Sequence, residues 1–380
     1  MATPPARGSK KLEHLDPDEL ALLLPARSHN VWGQQFSDAL EMLIGGTRRR
    51  SALDNRLASH AALQIGLLVL ANERLVSSVH PSHLAESARD IIKRMSFDGR
   101  VASEMSEIWS TPTSVSSDGS DSEWVTQQHY GALFGGLDLD HYTVEAASLL
   151  DARLSRNEIP RAALAGKRVL DSGCGSGRYS QALISYGASE VVGVDFSPEN
   201  IRNAITINSR YIRRESVSFK IADIRKLPFP DSSFDVVFSN GVVHHLPDPA
   251  EGVSELLRVL RPGGWGFFKV MPNPGGLHWD LIELARLVLW DTPFEVVHKY
   301  FASAAIPGNL RYYLLDHMLV PYNSRFSRQE VEAMLTREGA TEVRFLTRGA
   351  DLDRAERIYR AEPFAALRFG DGECRNWFSK

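Results

Sequence analysis

Two cysteines in 380 residues, Cys174 and Cys374, are too few for a disulfide framework or a four-cysteine zinc site. Reduced thiols in a cytoplasmic protein are the expectation, with no metal centre. Long apolar runs are missing as well. The most apolar stretch, Ala62–Ala71, has ten residues and includes Gln64, whereas a membrane-spanning helix needs about twenty. The N-terminal stretch MATPPARGSKKLEHLDPDE lacks the apolar core of a secretory signal, so none is expected. A basic surplus is also absent: 43 Lys and Arg stand against 47 Asp and Glu, a net charge of −4. Proteins that grip a phosphate backbone usually carry such a surplus, which disfavours nucleic acid as a partner.

What is present suffices for a folded core. Hydrophobic residues make up 43% and charged residues 24%, ordinary values for a globular chain. At roughly 150 residues per domain, the length suggests two domains, or one with an appendage. Residues 1–14 read as a disordered tail. Asp16-Pro17-Asp18-Glu19 then reads as a capped helix start. Further helices are expected near 34–44, 51–72 and 82–95, so residues 15–109 form an N-terminal helical domain. Residues 110–124 are Ser-rich and acidic, and no Lys or Arg occurs between Arg100 and Arg153. Such a segment cannot bury a core; it reads as a linker, or as a flap over a site.

From residue 165 strands and helices alternate, the signature of βαβ units and a parallel sheet with helices on both faces. Pro262-Gly263-Gly264 is expected as a tight turn feeding the fifth strand. Residues 277–325 read as a helical, aromatic insertion after that strand. Ser327 and Glu330 form a capping box for a further helix that Gly339 can end. Glu342–Thr347 and Cys374–Phe378 are the expected sixth and seventh strands.

The chemistry concentrates at VLDSGCGSGRYS, which begins at Val169. A short apolar strand reaches Asp171, and Gly173, Gly175 and Gly177 follow before a helix opens near Arg178. Glycines there permit positive φ and close approach of backbone to a ligand, and the helix start presents free N–H groups. Asp195 stands twenty residues after Gly175, at the end of a second apolar strand, VVGVD, with Phe196 next to it. An acid at that spacing can accept from both hydroxyls of a ribose. These features describe an adenosine-containing cofactor and are compatible with NAD. Three details favour S-adenosyl-L-methionine (SAM). The loop lacks the third glycine of the dinucleotide fingerprint. Asp171 suits a ligand amino group and would repel a pyrophosphate. Asp223, closing the third strand, can accept from an adenine amine while the Ile224 backbone reads the ring.

At this point the chain resembles the class I SAM-dependent methyltransferases. The likeness is to the small-molecule branch that includes ubiquinone- and menaquinone-biosynthesis C-methyltransferases and many natural-product O- and N-methyltransferases. The matching blocks are VLDSGCGSG at 169–177, VVGVD at 191–195, KIADIRKLPFPDSSFDVVFSNGVVHHLPD at 220–248 and ELLRVLRPGGWGFFKV at 255–270. Each block alone is weak; their order and spacing together are specific. The resemblance implies a Rossmann-like seven-stranded α/β sheet over a methyltransferase domain at 125–380. It also implies SAM as cofactor and S-adenosyl-L-homocysteine (SAH) as product. Asp171 and the glycines would hold the methionine end, Asp195 the ribose and Asp223-Ile224 the adenine. Asn240 would lie beside the reacting methyl.

Methyl transfer is an in-line displacement governed mainly by alignment. A base is needed only when the acceptor must lose a proton. His244 and His245, after the fourth strand, are the candidates, and alternation at a strand end would aim only one of them inward. The insertion and the helix leading into the sheet offer an acceptor pocket for an apolar or planar molecule: Tyr130, Trp279, Arg311, Tyr312 and His317, with Tyr142 nearby. Most of these aromatics also suit a helical mini-core. The N-terminal domain leaves three roles open: adding to the acceptor pocket, homodimerisation, or docking a carrier. The expected function is thus methyl transfer to a small molecule. A nucleic-acid or protein methyltransferase, an NAD-dependent oxidoreductase and a non-catalytic SAM-binding scaffold are the alternatives.

Overall fold

The computed structural model of the chain describes residues 55–74, 80–97, 139–210, 214–304, 306 and 308–380, with single positions 7, 14 and 32. The helix expected from Asp16, the helix over 34–44, the linker at 110–124 and Tyr130 lie outside the described residues, as does nearly all of the 1–14 tail.

Among the described residues, two helices come first, α1 (Asn55–Arg74) and α2 (Pro81–Phe97), and then α3 (Leu139–Ser155). The alternating segment follows as β1 (Arg168–Ser172), α4 (Arg178–Ser185), β2 (Glu190–Asp195), α5 (Pro198–Asn208), β3 (Val217–Ile221), β4 (Phe234–Asn240), α6 (Pro249–Val259) and β5 (Leu260–Pro272). The insertion is helical, as its aromatic, strand-poor sequence implies: α7 (Gly276–Val288), α8 (Phe294–Ser303) and α9 (Gly308–Met318). The chain ends with β6 (Arg325–Phe326), α10 (Arg328–Arg337), β7 (Glu342–Phe345), α11 (Arg354–Tyr359), α12 (Ala365–Phe369) and β8 (Cys374–Ser379). No helix among the described residues is long and apolar enough to cross a membrane.

The chain divides into two compact units. One comprises Met1–His129, Pro274–Tyr322 and Ala366–Gly370; the other comprises Tyr130–Asn273, Asn323–Ala365 and Asp371–Lys380. The insertion therefore groups with the N-terminal helices.

In the helical unit, all thirteen residues of α7 are buried. A helix apolar on most of its circumference needs partners all round, and neighbours meet His278, Asp280 and Arg286. Tyr313 Oη donates to Glu73 Oε1 at 2.8 Å, and His278 Nδ1 lies 3.1 Å from the same oxygen. Trp32 Nε1 donates to Asp280 Oδ2 at 2.8 Å. Arg286 donates to the His317 carbonyl at 2.6 Å, and Arg7 to those of Leu289 and Thr292 at 2.7 Å each. Trp279, Trp290 and Phe301 are buried in this core.

In the α/β unit, seven strands run in the order β3-β2-β1-β4-β5-β8-β7, and the two-residue β6 pairs with β5 off that path. All pairs are parallel except those of β8 with β5 and β7. The central strands β1, β2 and β4 are nearly continuous apolar runs because helices cover both faces. One face packs Leu170, Val192, Val237 and Phe268 against α6 and α10 residues; the other packs Val169, Val191, Phe238 and Phe267 against α3 and α4 residues. From β1 the chain proceeds to β2 and β3, then returns to β4 on the far side of β1. That reversal opens a crevice at the carboxyl ends of β1 and β4, where such sheets take ligands.

Pro262-Gly263-Gly264 departs from expectation. It is a bulge inside β5: Phe234 pairs with Leu260 but Val236 pairs with Trp265. Gly263 takes φ +73° there, and a Cβ on Gly264 would stand 2.8 Å from the Asp235 carbonyl.

Candidate active site

Asp171 and Ser172 end β1, and the chain turns through Gly173, Gly175 and Gly177 at φ +70°, +53° and +79°. The N–H groups of Gly173 and Cys174 both donate to the Val194 carbonyl, at 2.8 and 2.9 Å, pinning the loop to β2. A Cβ on Gly173 would lie 2.4 Å from Val242 Cγ2, and one on Gly177 would lie 2.8 Å from Phe219 Cζ. Two of the three glycines are thus demanded by the protein's own packing as well as by left-handed backbone.

The two strand-end acids sit on either side of this loop. Asp195 Oδ2 accepts from Gly175 N–H at 3.0 Å, and Oδ1 accepts from Ser197 N–H at 2.9 Å and Asn200 Nδ2 at 3.2 Å. Burial raises its pKa, and these three bonds work against that rise. Asp171 is 2% exposed and accepts from Ser180 Oγ at 2.6 Å. Burial pushes it up to about 7; the Ser180 bond opposes the shift and the Asp195 charge adds to it. Ser197 caps α5 with Pro198 in its first turn, as the sequence implies, and thereby sets Asn200 against Asp195.

The adenine pair is arranged differently from expectation. Arg225 claims the Asp223 carboxylate, with Nη2 donating to Oδ2 at 2.6 Å and the backbone N–H to Oδ1 at 2.9 Å. Burial would raise the Asp223 pKa, but the Arg225 bonds outweigh it and hold it low. The Ile224 side chain packs into the core, which leaves its backbone for recognition. Phe196 is half-buried after β2. Asn240 ends β4, and its Oδ1 is buried with no hydrogen-bond partner among the described residues.

The histidine pair corrects the alternation argument. Val243–His245 is a turn of 3₁₀ helix, not strand, so neighbouring side chains need not diverge. The two rings lie 3.9 Å apart at 48°. His244 is fully buried and its carbonyl accepts from Ser324 N–H at 2.9 Å; His245 is half-buried.

The acceptor residues fall in the helical unit, apart from Tyr142, which lies on α3 in the α/β unit with its side chain outside the described residues. Trp279 is buried on α7, its ring 4.7 Å from that of His317 on α9. Arg311 and Tyr312 lie on α9, the Tyr312 side chain outside the described residues. Sequence reasoning missed Ser180 and Asn200, the donors to Asp171 and Asp195. Their only signal is position: each sits in the first turn of the helix after its strand.

A methyltransferase-domain family matches residues 170–268. The 27-O-demethylrifamycin SV methyltransferase of Amycolatopsis mediterranei is 38% identical over 122 residues, 30% of this chain and 44% of that one. The chloroplastic tocopherol O-methyltransferase of Arabidopsis thaliana is 39% identical over 98 residues, 26% of this chain and 28% of that one. The ubiquinone biosynthesis O-methyltransferase of Thiobacillus denitrificans is 37% identical over 112 residues, 29% of this chain and 47% of that one. The chain thus spans less than half the length of each of these three relatives. The family match at residues 170–268 covers both strand-end acids, the glycine loop and Asn240, and the chain is similar over part of its length to methyltransferases.

Proposed function

We propose that the chain transfers a methyl group from SAM to a small-molecule acceptor, apolar or planar. One observation carries the reading: two buried carboxylates, Asp171 and Asp195, end adjacent parallel strands on either side of a left-handed glycine loop. The residues fit the cofactor. Asp195 keeps one acceptor site, on Oδ2, for a ribose hydroxyl beyond its three donors. Asp171, raised by burial, regains its charge beside a ligand ammonium. The partnerless Asn240 Oδ1 accepts a ligand donor. Asp223 can share its carboxylate between Arg225 and an adenine amine.

SAM supplies a sulfonium-bound methyl group open to displacement. The chain's share of the work is alignment and exclusion of water, since well-oriented pairs reach effective molarities of roughly 10⁵ M or more. Where the acceptor carries a proton, His245 receives it, because it is the more accessible imidazole, and His244 packs behind it. The names of the three relatives support a small-molecule acceptor. Buried, unpaired Cys174 and Cys374 support a cytoplasmic location. Homodimerisation through the N-terminal helices belongs to the same reading. Half-exposed Leu67 on α1 supports it, and light scattering tests it by a mass of twice 42.3 kDa.

Isothermal titration of SAH and NAD⁺ into the full chain and into Asp195→Ala tests the central claim. A hydroxyl bond to a carboxylate is worth about 1.5–3 kcal/mol, so the variant should bind SAH about tenfold more weakly or worse. NAD⁺ should not bind. Silence from SAH on the unaltered chain overturns the reading.

A further inference from the structure

Lys269 on β5 is a cation whose ammonium makes no ion pair among the described residues. It pairs in register with Asn240 of β4 and with Arg375 of β8. Directly paired residues point to one face of a sheet, so these three side chains share a face at the carboxyl ends of β4 and β5. Two residues further in, Phe238, Phe267 and Trp377 pair in the same way on the same face. Phe238 and Phe267 stack at 4.7 Å and give the polar trio an apolar floor.

The acids nearby are already engaged. Asp353 accepts from Arg153 at 2.6 and 2.8 Å and lies 3.0 Å from Arg375 Nη2. Glu373 accepts the backbone N–H groups of Arg354 and Ala355, at 3.1 and 2.9 Å, and lies 3.6 Å from Arg375. The Lys269 ammonium makes no hydrogen bond or ion pair among the described residues. Arg375 is 1% exposed, and its Nε and Nη1 have no acceptor among the described residues. Burial, with the charges of Arg375 and Arg153, pulls the Lys269 pKa down to about 8. Retaining an unpaired ammonium and unsatisfied guanidinium N–H groups inside a protein is costly. An anion with planar oxygens would remove that cost.

We propose that Lys269, backed by Arg375, receives the carboxylate of a bound small molecule beside Asn240. This rests on the methyltransferase reading, which puts the reacting methyl next to Asn240. Two molecules can bring a carboxylate there: the methyl donor, through its amino-acid end, or the acceptor.

Four titrations into the full chain, Lys269→Met and Lys269→Arg separate these sources. SAH is compared with 5′-methylthioadenosine, which keeps the nucleoside and sulfur but has no amino-acid end. Benzoate is compared with benzamide on SAH-saturated protein. If the donor supplies the carboxylate, Lys269→Met weakens SAH by about tenfold or more, leaves methylthioadenosine unchanged, and Lys269→Arg recovers SAH. If the acceptor supplies it, both nucleosides bind all three proteins alike. Benzoate then binds the unaltered chain and Lys269→Arg in preference to benzamide, and Lys269→Met loses that preference. Lys269→Met should melt at or above the unaltered chain, since it removes a half-buried cation that has no ion pair among the described residues. Unchanged SAH affinity in Lys269→Met together with equal behaviour of benzoate and benzamide on the unaltered chain overturns the proposal. Failure of the methyltransferase reading looks different: neither nucleoside binds the unaltered chain, and the benzoate preference is then read on ligand-free protein.

Discussion

Asp171 is the residue whose chemistry depends most on its surroundings. Burial and the Asp195 charge raise it to about 7, and Ser180 restrains the rise. A ligand ammonium favours the carboxylate form, so binding must release a proton from the acid form below that value. SAH affinity should therefore climb as pH rises from about 6 to about 8, by at most about tenfold per unit for one proton, and level off above. Ser180→Ala should move the midpoint upward, and Asp171→Asn should flatten the profile; titration across that range measures both. The stability sign is opposite to that of a paired acid. The folded pKa exceeds the unfolded one, so this group's contribution declines between pH 4 and pH 7, and Asp171→Asn should melt higher at pH 8.

At the scale of elements, helix starts do positional work. Ser197 caps α5 so that Asn200 meets Asp195, and Gly177 leads α4 in at φ +79°, which sets Ser180 over Asp171. The Ser327–Glu330 capping box starts α10, which has no part in the site and packs Val331, Met334 and Leu335 against the sheet. Ser327→Ala should cost about 1 kcal/mol of stability while leaving SAH affinity unchanged; urea unfolding and titration of the same sample check this. The bulge in β5 shows how an element overrides a local signal. Pro-Gly-Gly reads as a turn, but the chain on both sides of it pairs with β4, so the extra residues are pushed out of the ladder.

Across the whole α/β unit, a buried ionic network ties distant stretches of chain together. Asp353 joins Arg153 of α3 to Arg375 of β8. Burial would raise its pKa, but the two guanidiniums outweigh that and hold it far below the usual carboxylate range. Asp353→Asn leaves both cations under-compensated and should destabilise by about 3–5 kcal/mol at neutral pH. A depressed folded pKa adds stability above the unfolded value that is lost as pH falls through the folded one. The gap between variant and unaltered chain should therefore narrow below about pH 4, which melts across pH record.

The sequence by itself determined the sheet, the loop and the strand-end acids. Apolar runs of strand length, each closed by Asp before a Gly or Ser-Pro helix start, encode those features locally, and β1, β2, α4 and α5 need no distant information to be read. It also determined the Ser327–Glu330 capping box, since cap and partner lie three residues apart. Tertiary structure alone decided the rest. Gly173 is a glycine because Val242, far along the chain, occupies the space of its Cβ. Asp223 is taken by Arg225 because the loop turns back on itself. The His244 and His245 rings meet, tilted to one another, because β4 yields to a 3₁₀ turn. Lys269 and Arg375 meet only because β8 runs antiparallel beside β5. Such encounters depend on strand order and register, which a periodic pattern of side chains does not specify.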